Sequence, residues 1–214
     1  MARSNWLVIP LLWALTFAAS ADTDLADFLT AQIEFDQAVA GDDAALGRAH
    51  ALFEKLLAEQ PEHPLYLAYL GSSHALKGRA AWMPWNKLKY VEQGLDFIDK
   101  GLAQLTPEHD RMLLRATPVS IETRLVAIST FLGIPGFLHR FDSAKELLQS
   151  TLADPAFTAS PPEVQALLYM QAALAAREDK KPLDERGFLD KALALAPHGE
   201  FASGARQRLK ELAP

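Results

Sequence analysis

Four prolines mark the ends of apolar, helix-like stretches, and their spacing is close to regular. Pro61, Pro107, Pro155 and Pro197 lie 46, 48 and 42 residues apart. Ala49, Phe53, Leu56 and Leu57 precede Pro61-Glu62-His63-Pro64. Phe97, Ile98 and Leu102 precede Pro107-Glu108-His109-Asp110, and Phe188, Ala192, Leu193 and Leu195 precede Pro197-His198-Gly199. A weaker instance, Ala144 and Leu148, ends near Asp154-Pro155. A period of this size predicts stacked helical hairpins, each too small to bury its apolar face alone.

The first 21 residues stand apart. Arg3 is followed by an almost continuous apolar run, Trp6 to Ala18, and then by Ala19-Ser20-Ala21. This order reads as a secretory signal peptide cleaved after Ala21. The run is shorter than the roughly 20 apolar residues of a membrane span, so an uncleaved anchor is the weaker alternative. The expected mature chain, 22–214, is a single domain in the periplasm with no transmembrane segment. Removing Arg3 takes the net charge from −6 to −7. Such acidity argues against nucleic acid and against anionic membrane surfaces as partners. With no cysteine in the chain, disulfides, thiol catalysis and a lipidated N-terminus are excluded.

Apolar spacing and breakers place the helices. They are expected near Leu25–Val39, Ala44–Glu59, Leu65–Ala81, Trp85–Leu105, Asp110–Ala116, Val119–Leu132, Asp142–Leu152, Glu163–Arg177, Leu183–Ala196 and Phe201–Leu212. Asp24, Asp43 and Asp142 are the expected N-caps. The fold class is therefore all-α: about four stacked antiparallel hairpins plus a charged C-terminal capping helix.

These residues resemble tetratricopeptide repeats. That family carries Leu-Gly on the first helix of each pair, and Ala, an aromatic, Ala-Leu and a terminal Pro on the second. Phe188, Ala192, Leu193 and Pro197 fit the second-helix pattern, as do Ala49, Phe53, Leu56 and Pro61. Leu70-Gly71 fits the first. His74 stands where an aromatic is common, Leu67 where a Trp is usual, and the period exceeds 34 residues. The resemblance implies an α-solenoid that binds proteins or peptides.

No enzyme signature emerges. Gly71-Ser72-Ser73-His74 lacks the strand and turn of a nucleophile elbow, and in a helix Ser73 and His74 point apart. His63, His109 and His198 read as polar residues after helix ends. No pair of histidines has metal-ligand spacing. No phosphate-binding glycine loop exists. The chain is expected to be non-enzymatic, with neither cofactor nor metal.

Two segments invite a binding role. Residues 77–90 concentrate Lys77, Arg79, Lys87 and Lys89 around Trp82, Trp85 and Tyr90, with no acid among them. Cations with large aromatics suit a protein contact. The alternative, favoured because large aromatics are usually mostly buried, is that both tryptophans pack inside a long hairpin. The second segment, Phe131 to Arg140, holds Phe131, Ile134 and Phe137. Exposed, it is an apolar patch; buried, it is a tight helix crossing, and burial is favoured because a wet apolar loop is costly. The expected function is an exported scaffold or adaptor that binds a protein or peptide partner in its concave groove, serving envelope assembly or transport. The alternative is a carrier that encloses a lipid or small apolar molecule between Trp82, Trp85, Phe131 and Phe137.

Overall fold

A computed structural model describes residues 14–212, with side chains from Leu25 onward. The expected signal segment, 1–21, lies outside the residues whose side chains are described. Ten α-helices account for nearly all of the described secondary structure, and the fold is all-α. They are α1 (Ala14–Val39), α2 (Asp43–Glu59), α3 (Pro64–Ala80), α4 (Pro84–Ala103), α5 (Val119–Gly133), α6 (Phe141–Ala153), α7 (Pro155–Thr158), α8 (Pro162–Glu178), α9 (Pro182–Leu195) and α10 (Ala202–Glu211). A small hairpin of β1 (Leu113–Leu114) and β2 (Thr117–Pro118) precedes α5.

Proline sets many of the boundaries. Pro64, Pro84, Pro155, Pro162 and Pro182 each open a helix, where the missing N–H costs nothing. Pro155 therefore starts a short helix rather than ending one. The cap of α2 is Asp42, not Asp43: its carboxylate accepts from Ala44 N at 2.8 Å and Ala45 N at 3.0 Å. Likewise α1 runs through Asp24 without a break, and Asp142 sits inside the first turn of α6.

The helices pair as α1–α2, α3–α4, α5–α6 and α8–α9, with α10 capping α9. From the second pair onward, each first helix also packs on both helices of the pair before it: α3 on α1 and α2, α5 on α3 and α4, α8 on α5 and α6. This adjacency makes the molecule a short solenoid. Its core follows as a chain of clusters, from Phe28, Phe53 and Tyr69 at one end, through Ile98, Ala127 and Phe131, to Ala173, Leu189 and Ala205 at the other. In the second pair, Leu65 to Ser73 are all buried, because α3 is enclosed by α1, α2, α4 and α5.

The expected helix over 110–116 is absent. The chain turns there, and Arg115 and Ala116 adopt left-handed conformations, φ 50° and 63°, in the two-residue loop of the β-hairpin. Thr117 precedes a proline, which disfavours helical backbone, and Met112 O and His109 O accept from Val119 N and Ser120 N instead. Leu114 packs against the core cluster that holds Phe28 and Val119, and Arg115 lies over the Phe28 ring at 5.8 Å and pairs with Glu122, which sets the hairpin beside α1 and α5.

Candidate functional site

The turn between α3 and α4 forms an exposed tip. Trp82 is 88% exposed and Trp85 65%, with Met83 and Leu88 exposed to a lesser degree. The phase of α4 explains this. Its buried positions are Val91, Gly94, Leu95, Ile98 and Gly101, whereas Trp85 shares the opposite stripe with Lys89, Glu92, Asp96 and Asp99. The alternative in which both tryptophans pack within the hairpin is therefore overturned. Lys87 and Lys89 are exposed beside them.

The other three candidates at this tip are engaged within the fold. The Arg79 guanidinium donates to Ala38 O at 3.0 Å and reaches Val39 O, closing the carbonyl end of α1. Lys77 is partly buried, and burial lowers its pKa. Tyr90 lies against the His74 ring, 6.4 Å between centroids.

Two close approaches hold this hairpin together. A Cβ placed on Gly71 would fall inside the backbone carbonyl of Gly94, and one on Gly94 inside that of Gly71. The two helices thus touch backbone to backbone, and the tip stands on a stiff mount.

The second candidate segment divides. Phe131 is buried at 4% exposure, with the Arg140 guanidinium over its ring at 5.2 Å. Ile134 packs against the same cluster. Phe137 alone of the three is exposed, at 66%. Phe131, Ile134 and Phe137 therefore do not form a common patch. Nor do Trp82, Trp85, Phe131 and Phe137 line a shared cavity, because three stand in water and one is core.

Beneath the tip lies a polar cluster that the sequence left scattered. The buried His50 Nδ1 is 2.8 Å from Ser73 Oγ, and that hydroxyl donates to Leu70 O at 2.7 Å. With the serine proton committed, His50 Nδ1–H is the donor and Nε2 faces Glu54 at 3.5 Å. This Ser–His pair is no nucleophile: Ser73 is fully buried and its proton points at a carbonyl. His74 stacks edge-on to His50 at 4.6 Å and flat on Phe97. Burial, with Lys77 and His74 adding to it, pushes His50 down to about 4, and burial lowers His74 as well.

A second buried cluster escaped sequence reasoning altogether. Glu122 of α5 accepts from Tyr69 OH at 2.9 Å, from Gln32 Nε2 at 3.3 Å and from the Arg115 guanidinium at 2.7 Å. Burial raises both Glu122 and the nearby Asp36, against the lowering effect of Arg115. Its members lie 37 to 90 residues apart, except Arg115 and Glu122. No spacing rule gathers them; the pairing of α1, α3 and α5 does. At the turns on another side, His63 and His109 border an open recess of about 500 Å³, with Gln60, Pro61, Glu62 and Pro64. Burial pushes His63 down to about 4.

Among the described residues no group of three or more His, Asp or Glu is placed to hold a metal ion. No described helix is long and apolar enough to cross a membrane. Comparison with protein families, curated proteins and solved structures found no match to this chain.

Proposed function

We propose that the protein is an exported, non-enzymatic scaffold of the tetratricopeptide-like kind, which holds a protein or peptide partner in the cell envelope. The helices on which the resembling residues lie support the reading. Ala49, Phe53 and Leu56 lie on the second helix of the first pair, Leu70-Gly71 on the first helix of the second, and Phe188, Ala192 and Leu193 on the second helix of the fourth. The observation that carries the reading is the unpacked face of the outer first helices. Ile33 of α1 is 60% exposed, and Leu167 and Leu174 of α8 lie on the stripe opposite the buried Ala172 and Ala176. α3 is enclosed by α1, α2, α4 and α5, so a bound segment would lie along α1 or α8. Apolar groups left wet in a row are a contact surface awaiting a partner.

Site-specific photo-crosslinking in the native host tests this. A benzoyl-phenylalanine at position 33 or 174 is expected to capture one dominant envelope protein, and one at Leu183, on the far helix of the last pair, to capture none. Equal or absent capture from all three positions would sink the reading.

A further inference from the structure

The composition argued against anionic surfaces, but the fold segregates its charge. Residues 77–90 carry four cations and no acid against −6 for the whole chain, which leaves −10 on the rest. Those cations flank Trp82, the most exposed aromatic residue of the described chain, and the exposed Trp85. We propose that the α3–α4 tip is a docking surface for an anionic phospholipid bilayer. Trp82, Met83, Trp85 and Leu88 enter the headgroup region, and Lys87 and Lys89 lie over the lipid phosphates, while Arg79 stays on the α1 carbonyls.

Chemistry and mounting each favour a bilayer over a cleft in another protein. Tryptophan is enriched at the membrane interface because its ring is apolar while its N–H needs a polar partner, and headgroups supply both environments at once. An apolar protein cleft would bury two indole N–H groups that the tip cannot satisfy itself. Lysines beside the aromatics keep their stems on apolar surface and their ammonium groups at the phosphates.

The tip ends a longer helix than its neighbour: Ser72 of α3 is bonded to Thr130 of α5, and α3 continues eight residues beyond that point, whereas α5 continues three before the turn that leads to α6. At 1.5 Å per residue the difference in helix length is about 7 Å. The glycine contact between α3 and α4 and the Arg79 clamp on α1 fix the tip before it binds, so little entropy is lost on docking.

The test uses the full chain with Trp6→Phe and Trp13→Phe, so that Trp82 and Trp85 are the only fluorophores of their kind. It is mixed with vesicles of phosphatidylethanolamine and phosphatidylglycerol, with nitroxide-labelled lipid as quencher. The expected result is a blue shift and quenching at 0.1 M NaCl, both weakened at 0.5 M and with phosphatidylcholine alone. Lys87→Glu with Lys89→Glu should lower the partition coefficient at least about tenfold, with the helical circular dichroism unchanged. Sedimentation with vesicles but without quenching would overturn the proposal, since another part of the chain would then be binding. A tip that ignores vesicles and is shielded only by a captured protein would overturn it too. Neither result touches the first-helix face, whose crosslinks stand or fall separately.

Discussion

The second and fourth hairpins share a topology but are closed by different means. Between α3 and α4 the contact is backbone against backbone at Gly71 and Gly94, and Gly78 and Gly101 continue the seam, where an added Cβ would meet Val91 and Pro64. Between α8 and α9 it runs through side chains: Ala166 packs with Ala192 and Ala196, and Ala173 with Leu189. The fourth pair is then tied to the capping helix by a charge pair, Arg208 to the buried Glu185 at 2.6 and 3.0 Å. Glycine within a helix costs up to about 1 kcal/mol relative to alanine. The second hairpin carries four such residues and gains contact with no side chains between. The fourth carries one glycine in its two helices, Gly187, which lies outside the contact, and it meets through alanine and leucine side chains. This difference places stiffness under the exposed tip and leaves the C-terminal pair more tolerant.

The largest way to break that contrast is Gly71→Ala. Alanine is the better helix former, yet its methyl would collide with the Gly94 carbonyl and crowd Ile98. Backbone cannot swing aside as a side chain can, so a loss of about 3 kcal/mol is expected in urea unfolding. A neutral or stabilising outcome would show that the hairpin is looser than the seam implies.

Acid titration is the next discriminator, because the buried His50 and the half-buried His74 meet at the second hairpin, whereas the fourth has only the exposed His198 nearby. His50 is held near 4 and His74 below its usual value, mainly by burial, while both return to about 6.5 when unfolded. Between these values the unfolded chain binds more protons. Stability is thus complete above pH 6.5 and falls as the pH drops toward 4, by on the order of 2 kcal/mol. His50→Gln, which retains a donor for Ser73, should flatten that slope between pH 6.5 and 4. An unchanged slope would place the sensitivity elsewhere, with His63 in the adjoining turn the next group to replace.

Periodicity made most of the helices legible, since each must hide one stripe and proline marks where it starts. The position of Trp85 was legible too, because counting back from Val91, Leu95 and Ile98 sets it on the polar stripe with Glu92 and Asp96. Local composition, aromatics among cations, pointed the other way as readily as toward exposure. The glycine seam is visible as spacing alone: Gly71 and Gly78, then Gly94 and Gly101, are each seven apart, placing each pair on one helix face. The hairpin at 113–118 was not legible. A type I′ loop normally shows Asn-Gly, and here Arg115-Ala116 fills it because Arg115 is anchored on Glu122. Long-range polar pairing of that kind leaves no local signal. Gln32, Tyr69 and Glu122 become a cluster only once α1, α3 and α5 lie side by side.

The smallest effect tests the contrast from the tolerant side. Gly187 lies in the interior of α9, is exposed, and a Cβ on it would meet nothing within 4 Å. No close approach therefore requires glycine here, and its φ is ordinary for a helix. Gly187→Ala removes backbone freedom from the unfolded chain without strain in the folded one, so it should stabilise by about 0.5–1 kcal/mol. The same chemical change is thus expected to raise stability in the fourth hairpin and lower it severalfold more in the second. Parallel urea titrations of Gly187→Ala and Gly71→Ala decide this. If Gly187→Ala destabilised as well, α9 would have to lie against something that fills its open face, and the fourth pair would no longer be the more tolerant end of the stack.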